Sequence, residues 1–550
     1  VVFCDASGFS TLTETLATKA NGAELLSHRL RSFFTPLINF IHNYRGDVIK
    51  FSSGALTVYF QAVDDTISPK YNKVVPPHGT YGLPDLGPMA TAVLRAAACC
   101  IEIRKRLHMF DTDVDGVKFQ LRTSLGCGPV SVLQVGGVVP PDMAGKENWK
   151  RSEYLIAGPP LEQINVAEQF SENGETCVSP EAWEYVKGCV IEGKKIPSKP
   201  EYHLLSRMDE SKYTFPTVKH AAIENDNRSE KPFKVSDLPQ IRRYIPSAVY
   251  KQIECGTLEY VNEMRTISTI FVSGSGLDVT NEAGAKKCQE LVRDVQKGIY
   301  QHEGSLNKFN FDDKGMTFLI VFGLPPLVHK DDPTRAVLMC FDLIKIFEGL
   351  QLVGRFGVTT GRSYCGMCGS ARRMEYTVLG DSVNLAQRLM NNAQRLGILC
   401  DEETKNRSST EVIFNALHPV KVRGKGNPVP VFQPVKKDGN PLIGLTPKRN
   451  IRFPWHDAPF GGASSTSVRG GSTPHQRNVR DLCGVKSWEG IKKVQEWLGG
   501  GFLKNLHTGN PVVNLLAPAH KPAQGPIADG GVIVLESATG MGKIELAEHL

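Results

Sequence analysis

VVFCDASGFS, residues 1–10, runs apolar up to one carboxylate, Asp5, then breaks at Ser7-Gly8 before Phe9. Residues 269–278 repeat the pattern as TIFVSGSGLD: Phe3, Ser7 and Gly8 fall on Phe271, Ser275 and Gly276, while Asp5 falls on Ser273. Three more segments recur in the same order. GDVIKFSSGALTVYF (46–60) is matched by GSLNKFNFDDKGMTFLIVFG (304–323), with Lys50-Phe51 on Lys308-Phe309. RTSLGCGPVS (122–131) is matched by GRFGVTTGRS (354–363), and LEQINVAEQF (161–170) by GDSVNLAQRL (380–389), which sets Asn165 on Asn384. Four matches in one order, at a spacing far beyond that of a solenoid, predict two copies of one domain.

The local patterns say what kind of domain. In residues 46–60, Ile49 and Phe51, then Leu56, Val58 and Phe60, alternate as strand residues do, and Ser52-Ser53-Gly54 supplies the turn. Helical periodicity predicts helices over roughly 21–44 and 89–109. Each copy reads strand, helix, hairpin, helix, strand, hairpin, helix, the order of an α/β chain folded as an α+β sandwich with helices layered on a sheet. Residues 62–88, rich in Pro and Gly, read as an insertion loop, and GGASSTSVRGGSTP (461–474) as part of a flexible linker. GVIVLESATGMGKIELAEHL (531–550) reads as strand, glycine loop, helix. The expected division is a first domain at 1–205, a connector at 206–264 and a second domain at 265–435. A linker with connecting helices would follow at 436–525, and the start of a phosphate-loop α/β domain at 526–550. Val1 already lies in a strand pattern and the last motif is unfinished, so a piece of a longer protein is expected.

Bulk composition narrows the classes. With 550 residues, 41% hydrophobic and 22% charged, the chain can bury several cores. A net charge of +7 without dense Lys/Arg blocks argues against nucleic acid as a partner. The 13 scattered cysteines fit a reduced compartment better than a disulfide framework. Cys365-Gly366-Met367-Cys368 has no second pair at zinc spacing and reads as small strand residues. No apolar run is long enough for a membrane span.

VVFCDASGFS, the Lys-Phe hairpins and YTVLGDSVNLAQRLMN (376–391) together resemble class III nucleotidyl cyclases. The tandem pair followed by a phosphate loop resembles the soluble adenylyl cyclases among them. The resemblance implies two ferredoxin-like domains paired head to tail as an intramolecular pseudo-dimer, with pseudo-symmetric sites between them. It implies conversion of ATP to cAMP and pyrophosphate by in-line attack of the ribose 3′-hydroxyl on the α-phosphorus. It also implies two Mg²⁺ or Mn²⁺ ions shared by two aspartates. Asp5 matches the first aspartate as metal ligand; the other reading of Asp5 is a cap for the following helix. The loop Ser7-Gly8-Phe9 would offer backbone N–H groups to the triphosphate. The second aspartate belongs at the hairpin tip, where this chain has Gly54, leaving carboxylate for one ion only. The phosphate-binding cation belongs two residues before a strand glycine. Here that reads Ser124 before Gly126, against Arg355 before Gly357 in the second copy, with Arg122 two residues further back on the same strand face.

The second copy supplies the remaining residues that the resemblance implies. Lys308 would donate to the adenine ring and Thr377 would face the exocyclic amine, a cation and a hydroxyl that suit adenine. Asn384 would orient the ribose and Arg388 would stabilise charge on the phosphate; four residues apart, they share a helix face. The other pseudo-symmetric pocket has Ser273 and Met316 at its metal positions and Gln169 for the arginine, so it is no second active site. In soluble adenylyl cyclases that pocket takes bicarbonate on a lysine and an arginine. Lys50 matches the lysine, but Asn165 stands for the arginine, and an anion site without its bidentate cation is weak. The glycine loop, Ser537 to Ile544, departs from the phosphate-loop pattern at both ends, although Lys543 and its flanking glycines keep a phosphate cradle.

The expectation is a soluble adenylyl cyclase-like protein of cytoplasm or cilium, its activity weak or lost for want of the second aspartate. The alternative is a pseudo-cyclase that serves as nucleotide sensor or scaffold with ciliary or other assembly partners.

Overall fold

The computed structural model describes residues 1–19, 21–52, 54–62, 87–114, 116–140, 150–212, 241–246, 249–250, 252–253, 261–312, 315–408, 412–422, 427–435, 514–515 and 533–536. The first half holds β1 (Val2–Ser7), α1 (Phe9–Ala17), α2 (Gly22–Asn43), β2 (Gly46–Ser52), β3 (Ala55–Phe60), α3 (Gly87–Leu107), β4 (Phe110–Val114) and β5 (Val117–Leu125). It continues with β6 (Ser131–Val138), β7 (Arg151–Ala157), α4 (Pro159–Glu168), β8 (Thr176–Val178), α5 (Pro180–Val186), β9 (Val190–Ile196) and β10 (Lys199–Met208). The second half holds β11 (Glu263–Ser275), α6 (Glu282–Gln301), β12 (Ser305–Asp312), β13 (Gly315–Phe322), α7 (Asp332–Gly349) and β14 (Val353–Gly369). It ends with β15 (Met374–Leu379), α8 (Asp381–Asn392), β16 (Ile398–Cys400), α9 (Glu402–Ser408), β17 (Ile413–Val420) and β18 (Val429–Val435). Two short strands follow, β19 (Asn514–Leu515) and β20 (Ile533–Glu536).

The repeat in the sequence is a repeat in topology. The first sheet runs β2-β3-β1-β5-β8-β10-β9 and the second β12-β13-β11-β14-β16-β18-β17, position for position the same path. Both hairpins carry a bulge at the same place, between Val48 and Lys50 and between Leu306 and Lys308. A bulge turns the following side chain, here the lysine, relative to the regular pleat. Strand β1 buries Val2, Cys4 and Ala6 on one face and leaves Phe3, Asp5 and Ser7 on the other. Helix α2 packs Leu26, Leu30, Phe33, Phe34, Leu37 and Ile41 inward at three- and four-residue spacing. Asn281 caps α6 by accepting from the Gly284 N–H.

The halves dock reciprocally. Helix α2 lies against β14, and is held by Asn262, just before β11, donating to Ser27 (3.1 Å) and by Arg372, in the turn after β14, donating to Asn39 (3.1 Å). Helix α6 lies against β6, where buried Gln289 and Gln296 bond Gly136 N–H (2.8 Å) and Val138 N–H (3.2 Å). Gly136 permits the approach: its φ is +100°, and a Cβ there would sit 2.7 Å from the Gln296 amide nitrogen. One apolar cluster spans the junction, with Ile49, Tyr154 and Ile164 beside Phe271, Leu319 and Val378.

Three expected boundaries shift. Strands β10 and β11 reach into the connector expected at 206–264, and α3 begins at Gly87, inside the expected insertion loop. Strand β20, read as the strand before the glycine loop, pairs with β6. Lys543 and its loop lie outside the described residues, as does most of the linker. Among the described residues no helix is long and apolar enough to cross a membrane.

Candidate functional site

A cavity of about 700 Å³ lies between the halves and takes its walls from both: Phe3, Asp5, Lys50 and Thr57 from the first, Ser273, Lys308, Thr317 and Arg355 from the second. Its two ends are built from equivalent positions of opposite halves, and they differ in chemistry.

At the first end, Asp5 sits on β1 directly across from Arg122 on β5. Arg122 Nε donates to Asp5 Oδ2 at 2.8 Å, and Nη2 lies 2.7 Å from the same oxygen. Nη2 also donates to Glu168 Oε1 at 2.8 Å. Asp5 is therefore no helix cap: Gly8 is the N-cap of α1, without a side-chain cap bond. In the second half Ser273 sits across from Arg355. The sheet register thus corrects the arginine assignment. Arg122, not Ser124, is the counterpart of Arg355, and Ser124 faces Phe3 as Gly357 faces Phe271. The mismatch arose from anchoring on Gly126, whereas strand pairing is what fixes equivalence.

A second correction concerns α4. Ser131 pairs with Ala157 and Tyr364 with Leu379, and Gly158 and Gly380 then open α4 and α8. Counting from those glycines, Asn384 corresponds to Glu162, and Asn165 corresponds to Gln387. Asn165 lines the cavity all the same, and its side-chain nitrogen is buried without a partner among the described residues.

Gly54 does more than omit a carboxylate. Its φ is +106°, and a Cβ there would lie 2.7 Å from the Phe9 ring and 3.1 Å from the Ala6 carbonyl. Phe9 has nowhere to go, being stacked on Phe119 at 4.3 Å between centroids and flanked by Phe33 and Phe34. Of the expected loop, Ser7 is exposed and bonds the Gln120 carbonyl, Gly8 turns the chain at φ +108°, and Phe9 is a core residue.

From the second half, Lys308 is 5% exposed; its Nζ donates to the Phe51 carbonyl at 2.6 Å and lies 3.5 Å from Glu375. Glu375 in turn accepts from the Phe51 N–H at 3.3 Å. Thr377 is buried, and its hydroxyl has no partner among the described residues. Asn307 donates to the Tyr376 carbonyl (3.4 Å), tying the lysine strand to the threonine strand. Asn384 reaches the first half, donating to Ser10 Oγ at 2.6 Å. Neither Thr377, Asn384 nor Arg388 is among the residues lining the cavity; the α8 residues there are Gln387, Met390 and Asn391.

At the other end Lys50 lies 4.0 Å from Glu153 and 4.7 Å over the Tyr154 ring, and burial lowers its pKa. Arg151 holds Glu153 at 2.7 Å. Tyr154 bonds the Ile49 carbonyl at 2.7 Å, takes a bond from Arg373 at 2.8 Å, and is pushed up to about 12 by burial. Cys365 and Cys368 lie buried on β14, where burial raises both thiols.

The residues fit a two-ion site poorly. Among the described residues no three His, Cys, Asp or Glu converge as metal ligands, Gly54 has no side-chain donor, and the two carboxylates at this end, Asp5 and Glu168, are held by a guanidinium. Sequence reasoning passed over Glu168. It lies three residues beyond Asn165, and its partner Arg122 was the position left open.

Residues 254–433 match the family described as the adenylate and guanylate cyclase catalytic domain. Adenylate cyclase type 10 of Oryctolagus cuniculus is 23% identical over 478 residues, 82% of this chain and 28% of that protein. The Homo sapiens adenylate cyclase type 10 is 24% identical over 459 residues, 79% of this chain and 26% of that protein. The chain thus spans little more than a quarter of these relatives. The crystal structure of adenylyl cyclase CyaB from P. aeruginosa aligns with a TM-score of 0.30 at 24% identity, covering 32% of this chain and 96% of that one. The resemblance to class III nucleotidyl cyclases, of the soluble adenylyl cyclase kind, holds over most of the chain.

Proposed function

We propose that this relative of the class III nucleotidyl cyclases pairs its halves, 1–205 and 265–435, head to tail as an intramolecular pseudo-dimer. It binds ATP at the end of the cavity that Asp5 and Lys308 line, with the Ser7-Gly8 loop, Thr377 and Asn384 as further contacts, and it forms cAMP weakly or not at all. One observation carries the binding half of this reading. Thr377 keeps a buried hydroxyl with no partner among the described residues, on the strand tied to that of buried Lys308. An unpaired buried hydroxyl is costly, and an adenine amine would satisfy it. Lys308 would exchange the Phe51 carbonyl for a ring nitrogen. Asn384, steadied by Ser10, would orient the ribose.

The second half of the reading rests on Gly54 and on the engagement of Asp5 by Arg122. Both favour a nucleotide-responsive pseudo-cyclase over an efficient enzyme. Cytoplasmic or ciliary placement and assembly partners follow from the resemblance alone, and bicarbonate regulation is not expected where Asn165 replaces an arginine. The test is equilibrium binding of a fluorescent ATP analogue together with a cAMP assay in Mn²⁺ and Mg²⁺. Thr377→Val should weaken binding several-fold while wild-type cAMP output stays near that of Asp5→Ala. Brisk wild-type turnover that disappears in Asp5→Ala would overturn the pseudo-enzyme reading. Unchanged binding in Thr377→Val would overturn the adenine assignment.

A further inference from the structure

We propose that Arg122 is the resident cation of the first end of the cavity. It lies between Asp5 and Glu168, offsets half of their charge, and has to be withdrawn before a metal ion can bind. The geometry is that of a shared cation. Oxygens from two different carboxylates meet on one nitrogen, Nη2, at 2.7 and 2.8 Å, while Nε gives Asp5 a second bond at 2.8 Å. Nη1 adds a longer bond, 3.3 Å, to the Glu168 carbonyl. The three side chains are about a quarter to a third exposed (26%, 28% and 30%), so the contact is partly shielded and its charge-assisted bonds are not freely exchanged with water.

The other half shows what the same positions look like without the clamp. Asp5, Arg122 and Glu168 correspond to Ser273, Arg355 and Met390, the last by counting from the glycines that open α4 and α8. Both carboxylates are gone there, and Arg355 is exposed with no ion pair among the described residues. The carboxylates come as a pair with a gripped arginine in one half and are absent as a pair in the other. Asp5 alone would read as a leftover ligand; with Glu168 it reads as half of a guanidinium clamp. A metal ion entering here must break three charge-assisted contacts, two to Asp5 and one to Glu168, and expose a positive charge beside itself.

The experiment is Mn²⁺ titration of the full chain near neutral pH, followed by the electron-spin signal of free Mn²⁺, with no nucleotide present. Wild type and Asp5→Asn should bind Mn²⁺ equally weakly. Arg122→Met should bind it about ten-fold tighter or more, because two carboxylates are then left to one cation. That gain should vanish in Arg122→Met/Glu168→Gln, and Arg122→Lys, which keeps the charge, should stay weak. Tight binding by wild type that Asp5→Asn removes would overturn the proposal, as would a folded Arg122→Met with no gain. Should Arg122→Met not fold, the pair of wild type and Asp5→Asn still decides. This readout involves no nucleotide, so its failure is separate from failure of the ATP reading, which Thr377→Val tests.

Discussion

The two ends of the cavity are one site written twice, and the comparison separates what the fold needs from what chemistry adds. Both halves keep the bulged hairpin and a lysine facing a glutamate from a strand it does not pair with: Lys308 with Glu375 at 3.5 Å, Lys50 with Glu153 at 4.0 Å. In the first-named pair, lysine and glutamate together hold the Phe51 backbone of the opposite half. This lysine thus has an architectural duty beside any ligand role. The halves part where a ligand would be touched. Thr377 is matched by Leu155, Asp5 by Ser273, Glu168 by Met390, and the tip glycine Gly54 by Met316. Duplication preserved the frame and released the contacts.

The strongest trial of that division is Gly54→Asp, which writes the missing carboxylate back into the tip. A side chain there meets Phe9 at 2.7 Å in a backbone conformation of φ +106°. We expect destabilisation of about 2–4 kcal/mol in urea denaturation and no recovered cAMP formation. A variant as stable as wild type that makes cAMP with Mn²⁺ would show the tip to be chemistry and not frame.

Next in size is the junction itself. Gln296 is fully buried and serves the Val138 N–H at 3.2 Å and the Arg151 carbonyl at 3.1 Å. Gln296→Ala leaves both unpaired and should lower stability by about 2–3 kcal/mol, with the α6 contact weakened more than the α2 contact. Hydrogen exchange that rises equally in both would mean the halves do not dock through separate contacts.

Smaller again is Thr377→Val. The hydroxyl has no partner among the described residues, so the variant should be more stable than wild type by about 1 kcal/mol. ATP-analogue affinity, by contrast, should fall several-fold. The reciprocal change in the other pocket, Leu155→Thr, buries a new hydroxyl and should lower stability by about 1–3 kcal/mol without raising affinity.

Much of this was readable from local pattern. The hairpins, both long helices of the first half and the four matched segments follow from apolar period and turn residues, which act over a few positions. What was not readable is set by pairing between distant strands. Arg122 becomes the arginine of the site only because β5 lies against β1 in one register. Gly357 and Gly126 are both glycines where a helix carbonyl comes close, a Cβ lying 2.1 Å from that of Ala386 and 2.5 Å from that of Pro160, but Gly126 stands two residues beyond Ser124, the register counterpart of Gly357. Glu168 gains meaning from Arg122, and the hold of Lys308 on Phe51 requires both halves at once.

A last trial tests the frame alone. Asp401 caps α9, accepting from the N–H of Thr404 at 3.0 Å, and its counterpart by strand register, Ser179, caps α5 by accepting from Ala182. Burial pushes the Asp401 carboxyl up to about 6, while the bonds from Thr404 and Thr360 pull the other way. The folded chain therefore holds this proton more tightly than the unfolded chain. That contribution to stability is fully present below about pH 4 and is lost as pH rises through about 6. Asp401→Ser, which installs the residue of the other half, keeps a capping oxygen and removes the titration. Relative to wild type it should gain about 1–2 kcal/mol between pH 4 and pH 7 in urea denaturation. Parallel stability profiles for the two chains would mean that the carboxylate is solvated well enough to ionise in place, and that the two caps are interchangeable in charge as well as in position.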